Sequence, residues 1–433
     1  MILFLFAAIV AFLVALVIAN QLATRPVLAA SIILLVYLFE TVIVEPVAIP
    51  LELLIYPADI VFVLLLLAAG IRYLNGMAHL TRMRWPVIVL IVLYAVALVR
   101  GFAAFGVKQA GVEGRESFYF LSGVLYFSSF SLGARTRRSI VTVWMRASMA
   151  LASLAVLRWM AVLAGLGIVE QWAAVLGAGY RVLNASGANV IAVAFFASMF
   201  LNIGSTGPLW QRKAFYLFGP VLLLLQHRTV WAVVLIGFLW LGLQEPKFRK
   251  QVIRATAALA VLGVFAVFFL FGSQSSVAVA SLQDSASNED TFVWRLAGWY
   301  QLLFANSARN PLNDLIGQPY GTGFERVFMG VRIITAPHSH YVEMFLRGGA
   351  LGLFFLLLMY IRGMRRMKRL RGRLSRYVYP DSRFWALVLL LQLVYSFTYS
   401  LGYVQSILTG VALAGIKEVV RREPSPESSE LGA

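Results

Sequence analysis

The sequence predicts an all-α, polytopic integral membrane protein with about 12–13 transmembrane helices and one long outer loop that is itself partly helical. Three observations predict it. Of the 433 residues, 61% are hydrophobic and only 13% are charged. Mean hydropathy is +0.82, far more apolar than a soluble core requires. Apolar runs of about 20 residues, the length that crosses a bilayer core, recur from end to end.

The expected spans lie near residues 1–19, 26–44, 57–74, 85–102, 117–133, 140–163, 188–204, 214–226, 229–243, 255–272, 341–361, 384–401 and 403–420. The first opens with no basic n-region and is followed by no small-residue cleavage site, so it reads as a retained span and not a signal peptide. Basic residues alternate with the spans: Arg72, Arg82 and Arg84; Arg135, Arg137 and Arg138; Arg212 and Lys213; Lys247, Arg249, Lys250 and Arg254; and the run from Arg362 to Arg376. The positive-inside rule makes these loops cytoplasmic, which places the C-terminus inside and, with thirteen spans, Met1 outside. The net charge of +18 is therefore mostly topology and does not call for nucleic acid.

The opposite loops that are large enough to matter are 107–117, 165–188 and, longest, 272–340. The last contains WRLAGWYQLLF, whose Trp294, Trp299, Tyr300 and Phe304 favour the interface and predict an amphipathic helix roofing an outer cavity. Residues 214–226 and 229–243 are short for spans, roughly 20 Å each at 1.5 Å per residue. One helix through both would bury Arg228 at mid-membrane, at about 2.5–3.5 kcal/mol. A hairpin avoids that and keeps Arg212/Lys213 and Lys247/Arg249/Lys250 on one side, with Arg228 at its tip in an outward recess.

Chemistry concentrates at Pro337 to Gly352, PHSHYVEMFLRGGALG, where polar groups meet a membrane helix. His338, with Tyr341 on its face, can accept a proton from an attacking hydroxyl or hold it; it also fits a helix cap or a headgroup contact. His340 shares a face with Glu343, and Glu343 with Arg347, a spacing that also suits a polar ladder between helices. His-x-His-x-x-Glu cannot converge three ligands from one helix, so no metal site and no cofactor is expected. Cysteine is absent, which excludes disulfides and thiolate chemistry. An arginine in an outward recess suits a diphosphate; Arg228 comes first, then Arg295 and Arg181. Arg228 equally suits snorkelling to headgroups or pairing with Glu343. Gly348, Gly349 and Gly352 would admit a neighbouring helix. GTGF at Gly321 to Phe324 lacks the lysine and strand-loop-helix context of a nucleotide site and reads as a turn.

An ordered series of segments resembles the O-antigen ligase and polymerase superfamily of bacterial envelope proteins over roughly Arg181 to Tyr360. The segments are YRVLNASGANVIAVAF with Asn189, QHRTVWAVVLIGF with Arg228, WRLAGWYQLLF with Arg295 and Trp299, YGTGFERVF with Gly321 and Gly323, and PHSHYVEMFLRGGALGLF with His338, Tyr341, Gly349 and Gly352. Ser339 stands where an asparagine often follows the family histidine, so a hydrogen bond there is expected to be either lost or replaced by one from His340.

The resemblance implies metal-independent, inverting glycosyl transfer at the periplasmic face of the bacterial inner membrane. The donor would be an undecaprenyl-diphosphate-linked glycan, and the acceptor a glycan or lipid A-core hydroxyl. Arg228, Arg295 and Arg181 would hold the diphosphate and His338 the acceptor hydroxyl, supported by Tyr341, His340, Glu343 and Asn189. Besides the bilayer, chain-length regulators or other envelope assembly proteins would be partners. The chain divides on this view into N-terminal helices 1–180, a catalytic region 181–362 with its periplasmic loop 273–340, a basic loop 363–383, C-terminal helices 384–420 and a polar tail 421–433. Polymerase and ligase are not separated by the sequence. A transporter or flippase of a lipid-linked glycan is the alternative.

Overall fold

The computed structural model describes residues 2–43, 47–49, 54–78, 84–164, 166, 182–244, 249–250, 253–254, 257, 290–305, 310–328, 330–370 and 379–416. The expected span at 255–272 lies essentially outside them, as do Arg181, loop residues 273–289 and the polar tail.

The chain is mostly helical, and five of its helices are long and apolar enough to cross a membrane, or six if one bent pair counts as a single span. Helices α1 (Ile2–Leu22) and α2 (Pro26–Val42) form that bent pair, meeting at 116°. They are followed by α3 (Pro57–Leu74), α4 (Trp85–Ser128), α5 (Ala134–Leu163) and α6 (Ala185–Ile203). Next come a short α7 (Leu209–Lys213), α8 (Phe215–Leu224) and α9 (Arg228–Gln244). After the segment outside the described residues come α10 (Asp290–Phe304), α11 (Pro311–Ile316) and an antiparallel hairpin of β2 (Arg326–Phe328) and β3 (Val331–Ile333). The chain then closes with α12 (His340–Arg369), α13 (Ser382–Tyr395) and α14 (Gln405–Leu413). A two-residue parallel pairing joins β1 (Ser131–Leu132) to β4 (Gly415–Ile416).

Two glycines set the architecture. Gly106 has φ 81° and ψ 163°, outside the helical region, and breaks α4 into two arms. The arms fold back on each other: the Tyr94 and Phe118 rings lie 6.5 Å apart, and a β-carbon on Gly101 would come within 3.0 Å of that of Ala110. The expected loop 107–117 does not exist, because those residues continue the second arm as helix. Gly349, at φ 64° and ψ −166°, breaks α12 after nine residues. The first segment turns back far enough that the Met344 carbonyl oxygen lies 3.4 Å from the place a β-carbon on Gly352 would take. The backbone of Leu315 at the end of α11 fills the break, where a β-carbon on Gly349 would strike it. Close approach at Gly349 is thus to the short helix α11, while the neighbour of Gly352 is its own Met344.

Residues 214–243 form the expected hairpin. The Phe215 N–H donates to Ser198 Oγ near the end of α6 (2.9 Å), whereas at the other end of α8 His227 Nε2 meets the Leu183 carbonyl just before α6 begins (2.9 Å). Helix α9 then runs back beside α6, with Phe238 5.7 Å from Phe195.

One hydrophobic core runs from Ala19 to Ala414, and α14 lies buried against the second arm of α4. At one end of this bundle, buried arginines bind backbone carbonyls, Arg72 at Ala23 and Ser129, Arg84 at Phe130 and Arg137 at Val411, and the half-buried Arg366 binds that of Leu413. These are donors on groups that helix ends leave unsatisfied. The described residues of 290–338 and the Gly106 turn lie at the opposite end.

Candidate functional site

The end opposite the buried arginines holds a cavity of ≈ 810 Å³, within the range of small-ligand sites. Its walls come from chain segments remote in sequence: Tyr37 and Glu40 from α2, Glu113 and Glu116 from α4, Asn184 and Ser186 at the start of α6, Arg295 from α10, His338 and Glu343 around the start of α12, and Tyr395, Tyr399, Ser400 and Tyr403 from the α13–α14 region. The expected catalytic region 181–362 therefore does not enclose the site. Helices before residue 181 and after 383 complete it, since a cavity inside a bundle needs walls on every side.

Three of the expected residues line this cavity: Arg295, His338 and Glu343. Helix α10 carries Arg295 inward, with Val293, Leu296, Tyr300 and Phe304 exposed on its outer face. Trp299, expected at the interface, is instead buried against Leu302, Phe324, Val342 and Leu346, and its indole N–H donates to the Pro337 carbonyl (2.6 Å). That bond fixes the residue immediately before His338. The Arg295 guanidinium lies over the Tyr399 ring (5.3 Å) and donates weakly to the Thr398 carbonyl (3.4 Å).

His338 has φ 52°, a conformation uncommon outside glycine and held here by its surroundings. Its ring lies 6.2 Å from that of Trp294, over which the Arg326 guanidinium sits at 5.2 Å. Burial first, then the positive charges of Arg295 and Arg326, push the His338 imidazole down to about 4, so it is neutral at pH 7. Arg326, absent from the expected set, is itself buried and donates to the carbonyls of Phe324 (3.1 Å) and Thr335 (2.7 Å). It lies behind His338.

The other expected residues among those described, Arg228, Asn189, Tyr341 and His340, are not brought to the cavity. Arg228, at the hairpin tip, is exposed and lines no wall; the tip residue that reaches the cavity is His227. Asn189 is buried inside α6, and its place as a wall is taken by Asn184, which accepts from Tyr37 Oη (2.9 Å) and from the Gly187 N–H (2.8 Å). Tyr341 donates to the Leu393 carbonyl (2.6 Å) and tethers α12 to α13. His340 turns away to the Phe120 ring (5.6 Å), and Ser339 does not cap the helix with its side chain. The Arg347 ion pair is with Glu113, not Glu343.

Glu113 also accepts the N–H groups of Gly321 and Gly323, each at 2.9 Å. The GTGF turn is thus an anion-binding loop whose anion is a carboxylate of the same chain. Arg347 donates to the Gly323 carbonyl (2.7 Å), Gln109 to that of Gly321 (2.6 Å) and Arg100 to that of Gly317 (2.8 Å). These bonds hold residues 317–323 against α4 and α12, and Phe324, next in the chain, is a wall of the cavity.

Residues missed by sequence reasoning lie mostly before position 181. Glu40 accepts from Tyr403 Oη (2.5 Å) and Glu343 from Ser400 Oγ (2.7 Å), while Glu116 projects into the open space. An ionisable residue inside an apolar run is itself a signal, and Glu40 carried it, whereas Glu116 sits in the polar stretch 107–117 and carried none. Among the described residues no cluster of His, Cys, Asp and Glu has metal-ligating geometry.

The fold and site define a mostly helical chain with several helices able to cross a membrane and, at one end, an open cavity lined by both polar and apolar groups. No family model, no curated protein and no solved structure matches the chain.

Proposed function

We propose that the protein is a membrane glycosyltransferase that moves a glycan from undecaprenyl diphosphate to a sugar hydroxyl, as a polysaccharide polymerase or O-antigen ligase. The observation that carries this reading is the ≈ 810 Å³ cavity into which Arg295 and His338 both open, beside walls of carboxylates, tyrosines and an amide. Carboxylates and amides accept hydroxyl groups, and aromatic rings pack against the apolar faces of sugars; a fixed guanidinium at the same cavity suits a diphosphate. In the reaction the acceptor oxygen bonds to the anomeric carbon as the bond from that carbon to the diphosphate oxygen breaks. The electron pair leaves on the diphosphate, where Arg295, with Arg326 behind His338, offsets the gathering charge. The hydroxyl proton passes to neutral His338. A diphosphate bound beside Arg295 counters the positive charge that, with that of Arg326, depresses the imidazole, so substrate itself raises its basicity.

On this reading the chain is a multi-pass protein of about 12–13 spans in the bacterial inner membrane. The basic end faces the cytoplasm by the positive-inside rule, and the cavity faces the periplasm. The test is turnover of a polyprenyl-diphosphate-linked repeat unit by the purified protein in nanodiscs, wild type beside His338→Ala, with products resolved by gel and mass spectrometry. A product ladder from donor alone, or transfer once lipid A-core is added, is expected for wild type and is lost in the variant. Unchanged donor under both conditions, or full turnover by His338→Ala, overturns the reading.

A further inference from the structure

A second pocket, of ≈ 200 Å³, lies at the opposite end of the bundle, where α9 and α12 end and α13 begins. Trp240, Met364 and Met367 give it apolar walls, and Arg365, Lys368 and Arg383 bring three cations to it. Arg365 and Lys368 are three apart on α12, on one face of the helix, and are exposed. Among the described residues neither has an ion pair or hydrogen bond. Arg383 is held in place by Asp381, with Nη2 2.6 Å from Oδ2 and Nε 3.1 Å from Oδ1. Among the described residues, one carboxylate stands against three cations at the pocket.

Its depth identifies the ligand. Residues 350–369 of α12, beyond the Gly349 break, span about 30 Å at 1.5 Å per residue, the thickness of a bilayer hydrocarbon core. With the break at one interface, Arg365 and Lys368 fall at the headgroup level of the other, and Trp240 at the depth that indoles favour. We propose that this pocket binds the phosphodiester headgroup of an anionic phospholipid. The cations neutralise the phosphate while the methionines and Trp240 cover the first part of the acyl chains. The site is independent of the glycan reading. It requires only that the bundle sits in a bilayer.

The experiment is native mass spectrometry of the full-length protein released from mixed phosphatidylglycerol and phosphatidylcholine, compared with Arg365→Gln/Lys368→Gln and with Arg369→Gln. Arg369 is an exposed cation at the same end that does not line the pocket. Wild type should retain phosphatidylglycerol preferentially, and the double variant should lose that preference by roughly tenfold to thirtyfold, the factor for two headgroup-level cations. Arg369→Gln should keep it, and Arg365→Gln alone should give an intermediate loss. An unchanged preference in the double variant, or an equal loss in Arg369→Gln, overturns the proposal. Displacement of phosphatidylglycerol by millimolar inorganic phosphate would show a free-anion site, and also overturns it.

Discussion

Replacing Glu113 by alanine removes the partner of a cation that has almost no access to water. The Arg347 side chain is 2% exposed and that of Glu113 11%. Leaving one member of such a pair uncompensated costs about 3–5 kcal/mol, and the Gly321 and Gly323 N–H groups lose their acceptor at the same time. Arg347→Met leaves the Glu113 carboxylate without its cation and should cost a similar amount. The double variant Glu113→Leu/Arg347→Met removes both charges, so its loss should fall well below the sum of the two single losses, by about 2 kcal/mol or more. Glu113→Gln, which keeps an oxygen for the two N–H groups, should lie between wild type and Glu113→Ala. The assay is reversible unfolding in mixed micelles, read as a double-mutant cycle. Additive losses within about 0.5 kcal/mol would refute the reasoning, because the pair would then contribute no more than a solvated surface contact.

His338 in the free protein should titrate near pH 4, seen by nitrogen NMR of the histidine-labelled chain, which contains only four histidines. The neutral form is favoured on folding, so the unfolded chain binds more protons between pH 4 and 6.5 and this residue's contribution to stability falls as pH drops through that window. Arg326→Gln and added pyrophosphate should each move the titration upward; no movement with either would remove the electrostatic coupling. Arg295→Lys keeps charge but loses the planar fork and should reduce donor turnover by tenfold or more, whereas Arg228→Lys, outside the cavity, should change it less than threefold. Equal defects would return Arg228 to the site. Gly349→Ala should lower the yield of folded protein measured by size-exclusion elution, since the new β-carbon strikes the Leu315 backbone at a positive φ.

The sequence by itself determined that the chain is mostly helical with helices apolar and long enough to cross a membrane, because apolar length is a local property that a window of 20 residues contains in full. It determined the 214–243 hairpin as well, through the basic groups flanking it, and singled out Arg295, His338 and Glu343. Each of these is a polar residue beside or within an apolar run, which costs free energy unless it is used. Only the tertiary structure decided which polar groups meet. Glu40, Glu116 and Tyr403 are separated by up to hundreds of residues and converge because α2, α4 and the α13–α14 region pack around one space. Arg228 satisfied every local criterion and yet sits outside that space, while Arg326 sits behind His338 because a short β-hairpin folds it there. Glu113 and Arg347 chose each other over nearer partners for the same reason: Gly106 and Gly349 redirect their helices, and a break in direction at one residue decides contacts that no periodicity along the chain encodes.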